Sequence, residues 1–198
     1  MDEATLTDAS LLIGLSRFDE AERVLDQLLT DATALGDDEL AGQALEGLGT
    51  IATRRGQEAK ALLLFEQAVE RRGRPDPAVH ESLYTNVARL RSYTGDADGA
   101  VALLEQCIAR VEDGGDADRA VVAHYSITLS YAHADSGEYG KANTVLAGVL
   151  RDSEDLDERV QRRLYYALTR LNLNTGRTDQ AVLYSEKNLE ASLDAEPA

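Results

Sequence analysis

The stretch LGTIATRRGQEAKALLLFEQAV, Leu48 to Val69, reads as a helix, a turn and a second helix. Leu48 and Ala52 continue a stripe that begins at Leu45, with apolar residues three and four apart, the spacing that places side chains on one helix face. Leu62, Phe65, Ala68 and Val69 form a second stripe of the same kind. Between the stripes stands Gly56, and glycine just past a helix end supplies the left-handed step that terminates it. Five residues later comes Ala61, a side chain small enough to let two antiparallel helices close on each other.

Working outward, the same punctuation returns four times. GDADGA runs from Gly95 to Ala100, GEYGKA from Gly137 to Ala142, and GRTDQA from Gly176 to Ala181. SRFDEA, ending at Ala21, carries Ser16 where the glycine would stand. The alanines Ala21, Ala61, Ala100, Ala142 and Ala181 therefore recur at a near-constant interval, and each turn is flanked by apolar-periodic segments. Gly49 and Ala88 are the small residues opposite, and Phe65, Leu104 and Leu146 the larger plugs. Asp76 before Pro77 reads as a helix N-cap, Asp155 with Glu158 as a capping-box-like start, and Gly114–Gly115 before Asp116 as a stop followed by a start. The pattern predicts ten helices in one repeat domain, 1–198, with units at about 1–36, 37–74, 76–114, 116–153 and 155–194. A lone pair cannot cover its own apolar faces, so the pairs must stack into an all-α solenoid.

These residues resemble the tetratricopeptide repeat (TPR). Leu48, Gly49, Gly56, Ala61, Phe65 and Ala68 fall at that family's small and large positions, and its bulky first-helix position is filled by Leu45, Tyr84 and Tyr165, but by Ser126 in the fourth unit. The repeat is longer than that family's usual unit, and so is similar to the longer-helix variety of kinesin light chains and of sensory domains in bacterial transcription regulators. The resemblance implies a right-handed α-α superhelix whose first helices line a concave groove and whose function is to hold a protein or peptide.

First-helix residues that avoid the packing stripe would then face the groove. They are Thr50, Thr53 and Arg54; Asn86, Arg89 and Tyr93; His124, Tyr131 and Asp135; and Arg163, Tyr166, Arg170 and Asn174. Several lie one helical turn apart and so share a face. Arginine forks match carboxylates, asparagine amides can hold an extended backbone, and Tyr and Arg are common interface anchors. A mildly basic, aromatic-lined groove for a peptide, one carrying an acidic side chain or a C-terminal carboxylate, is the sharper reading; arginines simply paired with neighbouring Asp and Glu is the plainer one. The lysines with which family members clamp a terminal carboxylate are missing.

The remaining composition bounds function by exclusion. The net charge is −16, from 36 acidic and 20 basic residues, a field that opposes direct binding of nucleic acid or an anionic membrane. There is no stretch of the ~20 apolar residues a spanning helix needs, and MDEATLTDASLLIGL at the start lacks a basic signal-peptide region. One cysteine, Cys107, precludes an intrachain disulfide and a thiolate zinc cluster; a buried thiol in a reducing cytoplasm is the expectation. His124 and His133 share a helix at a spacing unlike that of a metal-binding pair, and His80 is expected to be exposed near a helix start. DGGDAD, Asp113 to Asp118, lacks the terminal Glu of a calcium loop. No enzymatic constellation, metal or cofactor is expected. The last unit has no polar capping helix, which implies a longer parent protein or a second copy packed on Leu164, Leu168, Leu171, Val182 and Leu189. The competing functions are therefore a binding scaffold, such as the sensor of a bacterial regulator, and a structural module that dimerises through its C-terminal unit.

Overall fold

The computed structural model describes residues 2–115 and 118–193. It contains ten α-helices: α1 (Asp2–Gly14), α2 (Phe18–Leu35), α3 (Asp38–Arg54), α4 (Glu58–Arg71), α5 (Glu81–Tyr93), α6 (Ala97–Asp113), α7 (Arg119–Asp135), α8 (Tyr139–Arg151), α9 (Glu158–Asn174) and α10 (Thr178–Leu193). Among the described residues there is no strand, and no helix is long and apolar enough to cross a membrane. Packing divides the chain into two compact units, Met1–Thr94 and Gly95–Ala198.

In the first unit α2 packs on α1 and α3, α3 on α4, and α4 on α5, while α1 also reaches α3. In the second, α7 packs on α6, α8 and α9, and α9 on α8 and α10. The α1–α3 and α7–α9 contacts join first helices of neighbouring pairs, which is how stacked hairpins bury the faces that one pair leaves open.

The small-residue logic operates as the repeat requires. Ala21, Ala61, Ala100 and Ala142 are fully buried and Ala181 is 2% exposed. At Gly49 a Cβ would lie 3.0 Å from the Phe65 ring, so the helix backbone itself is the surface on which Phe65 packs. The turns share one geometry. Gly56 has φ +69°, Gln57 N–H donates to Ala52 O at 2.9 Å, and matching bonds run from Glu138 to His133 and from Arg177 to Asn172. Ser16 adopts this left-handed step too, at φ +58°, with Arg17 N–H bonded to Leu12 O at 2.8 Å.

Several expectations shift. Asp76 bonds Ala78 N–H within an isolated turn, and α5 starts only after His80, which is half-buried with Nδ1 3.1 Å from Arg72. Pro77 is buried there, and the turn serves as its seat. Asp155 belongs to a 3-10 turn, Ser153–Asp155, and the cap of α9 is Asp157, which accepts from Val160 N–H at 2.9 Å. Asp118 caps α7 through Ala120 N–H; Asp116 lies outside the described residues. Leu164, Leu168 and Leu171, expected at an apolar surface, are buried at 0–4% exposure, because α9 turns that stripe into the core shared with α7, α8 and α10.

Candidate ligand-facing surface

The candidate residues are carried by first helices α3, α5, α7 and α9, whose opposite stripes are anchored in the cores. In the first unit, Leu83, Val87 and Leu90 bury one side of α5 and leave Asn86, Arg89 and Tyr93 on another. Arg89 donates to Asn86 Oδ1 at 3.3 Å, and its guanidinium lies 5.6 Å from the Tyr93 ring centre. Tyr93 is 60% exposed. Arg54, the last residue of α3, is exposed. Thr50 and Thr53 return their hydroxyls to the carbonyls of Glu46 and Gly49, so these two donors are spent within the helix.

In the second unit, α9 presents Arg163, Tyr166, Arg170 and Asn174 at spacings of three and four. Arg170 reaches α7: its guanidinium is 4.9 Å from the Tyr131 ring centre and 3.5 Å from the Asp135 carboxylate. Tyr166 and Asn174 are exposed, and Arg163 and His124 half-buried. Asn86, Arg89 and Tyr93 thus form one cluster on α5, and Tyr131, Asp135 and Arg170 another across α7 and α9; among the described residues Arg54, Arg163, Tyr166 and Asn174 make no hydrogen bond, ion pair or ring contact with either.

The arginines divide by what holds them. Arg17, Arg55, Arg71, Arg72, Arg91 and Arg119 each hold a carboxylate. Among the described residues Arg54, Arg89 and Arg163 hold none, and Arg170 holds Asp135 only at long range. Arginines without a carboxylate occur elsewhere too, Arg23 on α2 among them, which bonds a backbone carbonyl. Arg89 and Arg170 are set apart by the tyrosine ring against which each guanidinium lies, Arg89 giving one donor to Asn86 and Arg170 facing Asp135 only at 3.5 Å.

One residue was not legible as a site component. Arg72, just past α4, folds back beneath α3 with its side chain 4% exposed, pairing with Glu46 and with Glu39 at 3.0 Å. It lies across Gly42, where a Cβ would meet its Cγ at 2.7 Å. Arg72, Glu46, Thr50, Leu6 and Ser10 line a cavity of about 390 Å³. Burial holds the Glu46 carboxyl above its ordinary value, opposed by the charges of Arg72 and His80. A glycine inside a helix was the available signal, but its partner stands on the far side of α4 in the sequence.

The groups usual in catalysis are dispersed. Cys107 is 1% exposed, and burial pushes its thiol up to about 11 against the Arg110 charge and a hydrogen bond with Tyr125. Such a thiol is a poor nucleophile. His133 is buried with Nδ1 2.9 Å from Glu138; the Glu138 carboxyl is held below its ordinary value by Lys141 first and His133 second. Among the described residues no three His, Cys, Asp or Glu side chains converge as a metal site would need.

Comparison with known proteins agrees with this architecture. Residues 5–74 match the tetratricopeptide repeat family. A structure of nearly identical TPR-like repeats assigned to a kinesin light chain of Podosopora anserina is 19% identical and superposes with a TM-score of 0.72 over 99% of this chain and 97% of its own. BtubC (BKLC) from P. vanneervenii, at 16% identity, gives 0.77 over 96% of this chain and 80% of its own. YrrB, a TPR protein with an unusual peptide-binding site, gives 0.58 at 15% identity, over 96% and 86%. No curated protein sequence matches significantly.

Proposed function

We propose that this chain, which carries tetratricopeptide repeats in residues 5–74 and folds throughout as such repeats do, is a scaffold that holds a protein or peptide segment rather than an enzyme. The observation that carries the reading is the pair Arg89 and Arg170, each laid against a tyrosine ring and neither tied closely to a carboxylate, in a chain of net charge −16. Elsewhere on the surface acids neutralise many of the arginines at hand. Beside Tyr93 in the first unit and Tyr131 in the second neither is in a close ion pair, and each guanidinium flanked by an aromatic face suits a carboxylate of a bound segment. YrrB, with its peptide-binding site, is a precedent on the same fold.

The test is a displayed peptide library screened against the intact chain and against an Arg89→Glu/Arg170→Glu double variant. Enrichment of acidic, extended sequences that is lost with the variant supports the reading. Enrichment indifferent to both reversals removes it.

Self-assembly is a second reading. It is favoured by Val182, Leu183 and Leu189 on α10, which are 53%, 42% and 61% exposed. A light-scattering mass that stays monomeric at high concentration, before and after Leu189→Glu, counts against it. A role as the sensor of a bacterial regulator rests on the family resemblance, and a helix-turn-helix segment in the same reading frame would support it.

A further inference from the structure

Two clefts occupy equivalent places in the two units. The first, about 540 Å³, lies between α2 and α4 over α3. Its floor is Leu45, its wall includes Gln67, and Arg71 crosses it, bonding Asp38 at 2.8 Å and the Thr33 hydroxyl at 3.3 Å. At the rim of that cleft the opposite charges of Arg71 and Asp38 are joined.

The second cleft, about 490 Å³, lies between α6 and α8 over α7. It stands two repeats further along the chain, and one constant offset carries Leu45 onto Ser126, Gln67 onto Gly148, Asp38 onto Arg119 and Arg71 onto Asp152. At each of these positions the chemistry changes. Ser126 replaces Leu45 on the floor, Gly148 replaces Gln67 on the wall, and the two strap charges are exchanged, Arg119 for Asp38 and Asp152 for Arg71. The exchanged pair does not close. Arg119 is drawn instead to Asp155, at 3.0 Å. Asp152 and Glu112 stay exposed at the rim without a partner among the described residues. Ser126 likewise makes no hydrogen bond there, whereas Thr128 on the same helix returns its hydroxyl to His124 O. Val122, Leu129, Val145, Val149 and Leu156 supply apolar walls.

We propose that the α6–α7–α8 cleft binds a small organic cation, its compact apolar body seated on Ser126 and Gly148 and its ammonium held at the rim by Asp152 and Glu112. The volume is within the range of small-molecule sites, about 300–1,000 Å³. A charge is costly between apolar walls and cheap at a wet rim, so the ligand must be amphipathic, with its charge outward. Two unpaired carboxylates on a strongly acidic chain set that charge as positive. The inference is independent of the arginine face on the first helices.

Phenethylamine is the probe, titrated into the full chain and followed by amide-resolved NMR. Hydrocinnamate, phenethyl alcohol and the blocked dipeptide acetyl-Phe-Lys-amide serve as anionic, neutral and peptidic comparators. Saturable shifts confined to the segments around Val122, Ser126 and Gly148 are expected with the amine, about tenfold weaker binding with the alcohol, the equivalent of roughly 1.4 kcal/mol, and none with the anion. Ser126→Leu, which restores the floor of the first cleft, abolishes the shifts while retaining a folded spectrum. Asp152→Asn with Glu112→Gln, both at exposed positions, weakens binding about tenfold, again roughly 1.4 kcal/mol. Absence of saturation, equal binding of hydrocinnamate, or shifts that survive both variants overturns the proposal. So does binding of the dipeptide without binding of the amine.

Discussion

Arg170 on α9 lays its guanidinium 4.9 Å from the ring centre of Tyr131 on α7, tying two first helices together on the face proposed to meet a ligand. Asp135, at 3.5 Å, is too distant for a tight ion pair, so the ring fixes the cation without consuming its hydrogen-bonding edge. Tyr131→Leu is expected to weaken binding of an acidic peptide by freeing Arg170 to wander. Its cost to stability should be small, about 1 kcal/mol, because the stack is partly exposed. Tyr131→Phe, which keeps the ring, should bind as the wild type does. Fluorescence anisotropy beside urea denaturation separates the two effects. Equal loss of affinity in both variants would assign the contribution to the hydroxyl and not the ring.

Ser16 offers a test of the repeat logic. It takes the left-handed step that glycine takes at Gly56, Gly95, Gly137 and Gly176. A side chain in that conformation costs roughly 1 kcal/mol. Ser16 is exposed, and among the described residues its hydroxyl has no hydrogen-bond partner. Ser16→Gly is expected to stabilise the chain by about 0.5–1 kcal/mol, and Gly137→Ser to destabilise it by a similar amount. Midpoints of urea unfolding read both. A destabilised Ser16→Gly would mean that the turn gains more from the serine than its strain costs.

How far the sequence carries follows from which interactions are local. Ala61, Ala100, Ala142 and Ala181 could be placed because burial of a small residue at a fixed offset from a turn glycine depends only on the hairpin. The ten helices follow from the same helical periodicity. Leu164, Leu168 and Leu171 are buried against the local expectation because their burial depends on α9 meeting three other helices at once, a long-range fact. The starts of α5 and α9 slipped by a few residues because more than one acidic side chain stands ready to cap, Asp155 and Asp157 before α9 for example, and packing chooses among them. That Arg54, Arg89 and Arg163 would lack carboxylate partners could not be read from a chain so rich in acids. Ser126 in place of a bulky residue was visible in the repeat register. The failed strap of Arg119 and Asp152 was not, since it turns on the pull of Asp155 from the 3-10 turn after α8.

Cys107 makes the chain sensitive to alkali in a defined window. Its ordinary value is 9.0, and burial pushes it to about 11. Below the ordinary value both folded and unfolded chains carry the thiol, and no stability is at stake. Above it the unfolded chain ionises first, so stability falls as pH rises until the folded thiol also ionises near 11. The full loss from this one group is about 2–3 kcal/mol. Tyrosines and lysines titrate there too, so the measure is the difference between wild type and Cys107→Ala in urea unfolding across that range. A gap that does not change with pH would show that the thiol is better solvated than its 1% exposure implies. Native Cys107 should also resist thiol reagents that label the unfolded chain at once.

Arg72 and Glu46 set the last expectation. Arg72 is nearly sheathed, with its stem on Gly42 and its head on Glu46 and Glu39. Removing it by Arg72→Met keeps the stem and strands a half-buried carboxylate, a loss of about 3 kcal/mol, the lower end for a buried pair because Glu46 retains some water. Glu46→Gln added to that variant should recover much of the loss, since a neutral amide needs no counter-charge. The pH dependence follows from the raised Glu46 value. Without Arg72, the leading influence that lowers it is gone, so the folded carboxyl takes up a proton at a pH where the unfolded one, near its ordinary 4.5, is still ionised. Stability of Arg72→Met should therefore rise relative to wild type as pH falls through that folded value, and level off once the unfolded carboxyl is protonated as well. A variant gap that is constant from neutrality to pH ~4.5 would place the penalty in lost packing across Gly42 and not in the stranded charge.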